Sequence, residues 1–405
     1  MYLYYLLAAL ASWFGLQSLL SGIRYVQYVK RETSRPLADF HPRVSVIAPS
    51  RGLEIGLAEN LSTLLAQDYP EYEVLFVFDR ADDPAIDLLK QFAESPVPHR
   101  TIIAGSATDC GQKVHNLRFA IKEIDSRSEV IAFVDTDARP GRLWLRQLVA
   151  PLIDNELGAS TGYRWFVPVK GGLSSRLRSV WNASVASALG ADTGKNFCWG
   201  GSTAIRRSVF ERLNISERWQ GTVSDDFTVT NVLKEAKLPI HFTPNCLVAS
   251  VGDCDVRELF EFTTRQIKIT RVYAPQLWLP LLLGSSLFTI VFFGGIVLLI
   301  ACMIAGLPFV FLLAVLCLLF SLGAVKGLIR WRVINIPLAN YRKELSRDRL
   351  AHIFLWPFAS LLYLYNAIAA GFSHRINWRG ITYELKSPNE AVIISRDLFS
   401  QERHL

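Results

Sequence analysis

Apolar residues along the chain follow two patterns. In the first, three stretches carry no charge: one ends at Arg24, one lies between Arg271 and Lys326, and one between Arg349 and Arg375. About 20 consecutive apolar residues suffice for a helix to cross a bilayer. Residues 1–23 therefore read as one anchor, with a helix over 2–23. The second stretch holds two helices, 277–305 and 307–325, broken near Gly306-Leu307-Pro308. The third adds a segment at 353–372. Residues 277–372 thus form a membrane region of about three apolar segments, followed by a tail over 373–405. Ala9-Leu10-Ala11 superficially resembles a signal-peptidase site. No Lys or Arg precedes that run and the run is long, so an uncleaved anchor is expected.

The second pattern occupies residues 40–255. Short, continuous apolar runs at 44–48, 74–78 and 130–134 read as strands buried on both faces. Between them, Ile55, Leu57, Leu61, Leu64 and Leu65 recur at helical spacing until Asp68-Tyr69-Pro70 stops the helix. Further helices are expected at 85–92 and 114–124, with another strand at 101–104. Strands alternating with helices predict an α/β domain with a mostly parallel, Rossmann-like sheet, whose ligands bind at the carboxyl ends of the strands. Over 256–273, Val256, Leu259, Phe260 and Ile267 fall on one helical face, away from Arg257 and Arg265. An amphipathic helix lying in the membrane interface is expected there.

Flanking cations set the expected orientation. Arg24, Lys30, Arg31, Arg35 and Arg43 follow the first span, and Lys326, Arg330, Arg332, Arg342, Lys343, Arg347 and Arg349 follow the third. The positive-inside rule places both segments, and the domain with them, in the cytoplasm. That membrane is the inner membrane in a bacterium, or the Golgi or ER membrane in a eukaryote. The tail mixes Arg375, Arg379, Lys386, Arg396 and Arg403 with Glu384, Glu390, Asp397 and Glu402. Its bias leaves open whether the fourth segment spans, re-enters or lies at the interface.

Of 405 residues, 51% are hydrophobic and 20% charged, which excludes a disordered chain. A net charge of +7 suits an anionic surface or a phosphorylated substrate and is too small to argue for nucleic acid. Six cysteines without CxxC spacing suggest a reducing compartment. No GxGxxG follows the first strand and no GxxxxGK[ST] occurs, which argues against dinucleotide and P-loop sites.

The candidate chemistry sits at strand ends. Asp79 and Asp83 follow one strand, and Asp135-Thr136-Asp137 follows another. Two carboxylates after a buried strand supply hard oxygen ligands for Mg²⁺ or Mn²⁺, with the remaining ligands coming from substrate phosphates and water. Solvated loop carboxylates are the plain alternative. Gly111-Gln112-Lys113 opens a helix with a cation available to an anionic substrate. Trp199-Gly200-Gly201-Ser202 is a glycine turn before a strand. Ser224-Asp225-Asp226 puts adjacent acids at a helix start, where they could equally cap it. Arg265, Lys268 and Arg271 precede the second span and could serve the substrate or the membrane surface.

In their order, these motifs resemble the GT-A glycosyltransferases of the family 2 type, and more closely the ceramide glucosyltransferases and bacterial lipid-glycosylating relatives. The similarity covers roughly residues 40–275. It implies a metal-dependent, inverting hexosyltransferase using a nucleotide-sugar donor, most simply a UDP-sugar, and a membrane lipid acceptor at the bilayer. Under that resemblance Asp79, Asp83, Lys113, Asp135, Arg265 and Lys268 bind substrate, Asp135 and Asp137 hold the metal, and Asp226 is the catalytic base. The family's (Q/R)xxRW element is altered to Arg265-Gln266-Ile267-Lys268-Ile269, which argues against a processive synthase. Asn377-Trp378-Arg379-Gly380-Ile381-Thr382-Tyr383 is similar to a tail of bacterial relatives, with a structural plug as its simplest role. The alternatives are a polyprenyl-phosphate glycosyltransferase, a short polysaccharide synthase or a catalytically silent membrane scaffold. A transporter is disfavoured because the apolar segments contain no ionisable acid or base.

Overall fold

The computed structural model describes residues 2–397. The end of the expected tail, with Glu402 and Arg403, lies outside the described residues. The chain divides into two compact units. Residues 31–166, 189–252 and 374–397 form a sheet unit, and residues 2–30, 167–188 and 253–373 form a helical unit.

The sheet unit contains seven strands: β1 (Val44–Pro49), β2 (Tyr72–Phe78), β3 (His99–Ile103), β4 (Val130–Val134), β5 (Ala159–Val167), β6 (Ser202–Arg206) and β7 (Ile240–Val251). Their spatial order is β3-β2-β1-β4-β6-β5-β7. The first four are parallel, with Val44 in register with Tyr72 on one side and Val130 on the other. β6 joins β4 antiparallel.

The apolar strands are continuous because both of their faces are covered. Val44, Val46, Val74, Phe76, Phe78, Val130 and Ala132 pack into one core with Leu57, Leu61 and Leu64. The alternate residues Ile47, Leu75, Val77, Ile131 and Phe133 pack into a second core with Val114 and Leu117. Each large apolar side chain buried this way contributes about 1.5–3 kcal/mol. The expected helices are present but shorter, over Leu57–Leu64, Pro84–Leu89 and Gln112–Ile121. The first starts late because Gly52 and Gly56 take positive φ (69° and 77°), which breaks the helix before Leu57.

The tail folds as β structure. It forms a three-stranded antiparallel sheet of β8 (Arg375–Trp378), β9 (Ile381–Ser387) and β10 (Glu390–Arg396) within the sheet unit. Gln112 N–H donates to the Tyr383 hydroxyl (3.1 Å), and Arg396 donates to Gln112 Oε1 (3.1 Å) and to the Ala107 carbonyl. Gly221 lies so close to the Asn389 carbonyl that a Cβ there would overlap it.

In the helical unit, three helices are long and apolar enough to cross a membrane: Tyr2–Thr33, Pro275–Ile304 and Val310–Ile334. The first and third run beyond their expected ends. The third carries Lys326, Arg330 and Arg332 on the helix itself rather than in a following loop. There Lys326 Nζ donates to Ser18 Oγ (2.5 Å) and Arg330 to Ser184 Oγ (3.3 Å), so neighbouring helices supply polar partners. The fourth apolar segment is a shorter helix, Trp356–Phe372. It packs with Val180 and Trp181 of helix Leu173–Ala186 and with Leu259 and Ile267 of helix Val256–Tyr273. On this last helix the buried positions are Leu259, Thr263, Ile267, Ile269 and Tyr273, whereas Val256 and Phe260 of the expected apolar face are exposed. Polar Thr263 is buried because its hydroxyl is bonded to Leu259 O and Asn366 Oδ1.

Candidate active site

In a sheet ordered β3-β2-β1-β4, the chain leaves β1 toward one side and returns on the other. The crevice beyond the carboxyl ends of β1 and β4 is then the natural ligand site. Ser50 and Arg51 follow β1, and Asp135-Thr136-Asp137 follows β4.

Lys113, in the first turn of helix Gln112–Ile121, joins two distant acids. Its Nζ lies 2.7 Å from Asp135 Oδ1 and 3.2 Å from Asp225 Oδ2. Burial opposes the ammonium charge, but Asp135 and Asp225 outweigh it and hold Lys113 above the usual lysine range. Burial likewise works against ionised Asp135, and Lys113 with Arg164 overcomes it and lowers the carboxyl. Asp225 loses that contest: burial, with Asp226 and Asp135 nearby, pushes it up to about 7 despite Lys113.

Arg164, on β5, approaches Asp135 Oδ2 (3.3 Å) and Asp137 Oδ2 (3.5 Å). Its guanidinium is 4.7 Å from the Trp199 ring centroid. The Gly200-Gly201 turn makes room for this cluster. A Cβ on Gly200 would overlap Asp225 Oδ2 and come 2.8 Å from Lys113 Nζ, and one on Gly201 would come 2.8 Å from Asp135 Oδ2.

The two acids of the Ser-Asp-Asp motif are not the cap of their helix, Asp225–Glu235. Ser224 is the N-cap, its Oγ accepting from Phe227 N–H (3.3 Å). Asp226 Oδ1 accepts from Ser224 Oγ and from Phe227 N–H (2.8 Å), and its charge acts on both Lys113 and Arg164. Thus Asp135, Asp137 and Asp225 pair with two cations, on both of which the charge of Asp226 also acts.

Asp79 and Asp83 part company. Asp83 Oδ2 accepts from Gly52 N–H (2.8 Å) and Oδ1 from Ala85 N–H (2.9 Å), which caps one helix and pins the loop after β1. Asp79 is buried with its Oδ2 3.6 Å from Arg51 Nε, and its Oδ1 has no hydrogen-bond partner among the described residues. Arg265 and Lys268 belong to the helical unit. Arg265 lies 5.7 Å from the Phe262 ring centroid, and partial burial lowers Lys268. Arg271, next along that helix, donates to the carbonyls of Ala370 and Gly371, capping the end of Trp356–Phe372.

For a divalent cation, the donor set fits. Asp137 Oδ1 is buried without a hydrogen-bond partner among the described residues, beside Asp135 at a strand end. No group of three or more His, Cys, Asp or Glu is gathered there among the described residues, so an ion would take further ligands from substrate and water.

Sequence reasoning missed Arg51, Glu54, Arg164 and Arg379. The available signal for Arg164 was a cation inside an otherwise uncharged strand. For Glu54 and Arg379 no local pattern existed, because their ion pair joins residues at opposite ends of the sheet unit's chain.

Topology and site together define a mostly parallel α/β sheet with carboxylates and cations gathered beyond its strand ends, in a chain with helices long and apolar enough to span a membrane. The profile of Glycosyl transferase family 21 matches residues 4–391, and the chain belongs to that family. Ceramide glucosyltransferase 3 from Caenorhabditis elegans is 30% identical over 78 residues, 19% of this chain and 17% of that protein. A solved mannosyltransferase, PcManGT from Pyrobaculum calidifontis in complex with GDP-Man and Mn²⁺, is 18% identical. Its TM-score is 0.48, over 90% of this chain and 98% of that one. A mycobacterial protein is 14% identical with a TM-score of 0.37, over 62% of this chain and 78% of that one.

Proposed function

We propose that this family 21 glycosyltransferase is bound to the membrane and transfers a sugar, with inversion, from a UDP-sugar to a hydroxyl of a membrane lipid such as ceramide or a bacterial lipid. The observation that carries this reading is the ammonium of Lys113 shared by Asp135 and Asp225. It draws the strand-end Asp-x-Asp and the Ser-Asp-Asp pair into one crevice.

In this mechanism Asp79 contacts the nucleoside, while Asp83 holds the loop beside it. Asp135 would contact the ribose or the metal, and Asp137 would hold Mg²⁺ or Mn²⁺, which when bound would supply positive charge against the diphosphate. Asp226 takes the proton of the acceptor hydroxyl. The acceptor oxygen bonds to the anomeric carbon as the bond from that carbon to the diphosphate breaks, and the nucleoside diphosphate leaves with the bonding electrons. General-base help of this kind contributes roughly 10² to 10⁴ in rate.

Chain topology supports the membrane arrangement. Residues 31–166 and 374–397 belong to one unit, so an even number of crossings separates them. Helices Pro275–Ile304 and Val310–Ile334 are long and apolar enough to make two crossings. On this reading the cationic flanks of the spans face the cytoplasm, where sugar nucleotides are soluble.

The test is Asp226→Asn in membranes supplied with a panel of labelled sugar nucleotides, followed by lipid extraction. Wild type should label one lipid from one donor, and the variant should label none while still binding that donor. Full transfer by the variant removes Asp226 from the base role.

A further inference from the structure

We propose that Arg379, at the tip of the C-terminal hairpin, is a donor-binding residue whose guanidinium grips the diphosphate of the sugar nucleotide. The inference rests on the donor reading above and extends it to a residue far outside the strand-end motifs.

Three observations carry it. First, the turn is built against its own preference. Trp378 pairs with Ile381, so Arg379-Gly380 is a two-residue hairpin loop, and both residues have positive φ (49° and 74°). Such loops favour Asn-Gly or Gly-Gly. Gly380 obeys that rule, whereas Arg379 holds a left-handed backbone that a long side chain seldom adopts. Strained positions of this kind cluster where a side chain is needed.

Second, the side chain reaches the crevice. Arg379 Nη1 donates to the Arg51 carbonyl (2.7 Å) and Nη2 pairs with Glu54, both in the loop after β1. Burial disfavours the charge of Arg379, and Glu54, Asp137 and Asp135 more than restore it. Glu54 in turn is raised by burial against the pull of Arg379, with Asp137 and Asp135 adding to the rise. A cation among these acids has surplus carboxylate around it until something else occupies Asp135 and Asp137.

Third, the hairpin is fixed in place by the same helix start that carries Lys113. Tyr383 and Arg396 both bond to Gln112, the residue before Lys113. One docking surface therefore positions two of the site's cations. A guanidinium offers a planar fork that matches phosphate oxygens in a bidentate manner, which an ammonium does not.

The experiment uses the full-length protein in detergent and measures binding of UDP and GDP with Mn²⁺, and of uridine and guanosine alone, together with thermal stability. The variants are Arg379→Asn, Arg379→Gly and the double Glu54→Gln/Arg379→Asn. Asn and Gly suit the left-handed turn, which offsets the loss of the Glu54 pair and of the bond to Arg51, so Tm should change little. Affinity for the bound diphosphate should fall at least tenfold with nucleoside affinity unchanged, and the double variant should not recover it.

Several results overturn the proposal. Diphosphate affinity within twofold of wild type does so directly. Recovery in the double variant makes Arg379 only the counter-ion of Glu54. An equal loss for the nucleoside, or a lower Tm in both single variants, makes it structural. Wild type that binds neither UDP nor GDP with Mn²⁺ removes the donor reading itself, and a failure confined to the variants leaves that reading standing.

Discussion

Asp135 and Asp225 lie 90 positions apart in the sequence and meet at one ammonium, 2.7 and 3.2 Å from Lys113 Nζ. All three side chains are largely buried. Removing one member of a buried ion-paired group leaves uncompensated charge, at a cost of about 3–5 kcal/mol. Lys113→Ala should therefore unfold at markedly lower temperature or denaturant concentration. The double variant Lys113→Ala/Asp225→Asn should regain part of that loss, because it removes one of the stranded carboxylates. Additive losses in the double-mutant cycle would show that the three groups are not coupled.

The glycine turn before β6 gives a second prediction. Because a Cβ on Gly200 would overlap Asp225 Oδ2, Gly200→Ala must push that carboxylate or the turn aside. Overpacking of this kind costs about 1–3 kcal/mol. Gly141, with open space around its Cβ position, serves as the control: Gly141→Ala should change stability far less. Equal Tm shifts in the two variants would contradict the close packing.

The same carboxylate makes stability depend on pH. Burial first, then Asp226 and Asp135, push Asp225 up to about 7 against the opposing pull of Lys113. An unfolded aspartate titrates near about 3.9. The folded state therefore binds the proton more tightly, and this group's contribution is complete below about pH 4 and lost as pH rises through about 7. Between pH 5 and 8, without nucleotide or metal, wild type should lose Tm more steeply than Asp225→Asn. Parallel curves would remove Asp225 as the titrating group.

Much of this arrangement was legible in the sequence, and the reason is local. The runs at β1, β2 and β4 are apolar apart from Ser45 and Glu73 because both faces are buried, so strand identity is written in consecutive residues. Asp79, Asp135 and Asp137 follow those runs directly, which places them at strand ends without knowledge of packing. The partners of those acids were not legible. Arg164 meets Asp135 across the sheet, and Arg379 reaches the loop after β1 from the far end of the chain. Asp83 illustrates the converse. It shares the motif of Asp79, but its two oxygens accept backbone amides, a fate set by how Gly52 approaches it. The tail strands escaped notice because Arg379 occupies a turn position that normally announces itself with Asn or Gly.

Metal dependence supplies the last prediction, and it turns on one oxygen. Asp137 Oδ1 is buried without a hydrogen-bond partner among the described residues, and Oδ2 is 3.5 Å from Arg164. A buried acceptor left unsatisfied costs about 1–3 kcal/mol, so this carboxylate is a poor contributor to the fold on its own. Its geometry makes sense for a ligand that arrives with the donor. Ligand binding stabilises the folded state by about 2.7 kcal/mol at a hundredfold excess over Kd. Mn²⁺ with UDP should therefore raise the Tm of wild type by several degrees, while Asp137→Asn should show little of that shift. Without ligand, the variant should lose only what the weakened pairing with Arg164 costs, since no hydrogen bond to Oδ1 is lost. A variant that keeps the full Mn²⁺-dependent shift would place the cation on other residues and leave the orphaned oxygen without a role.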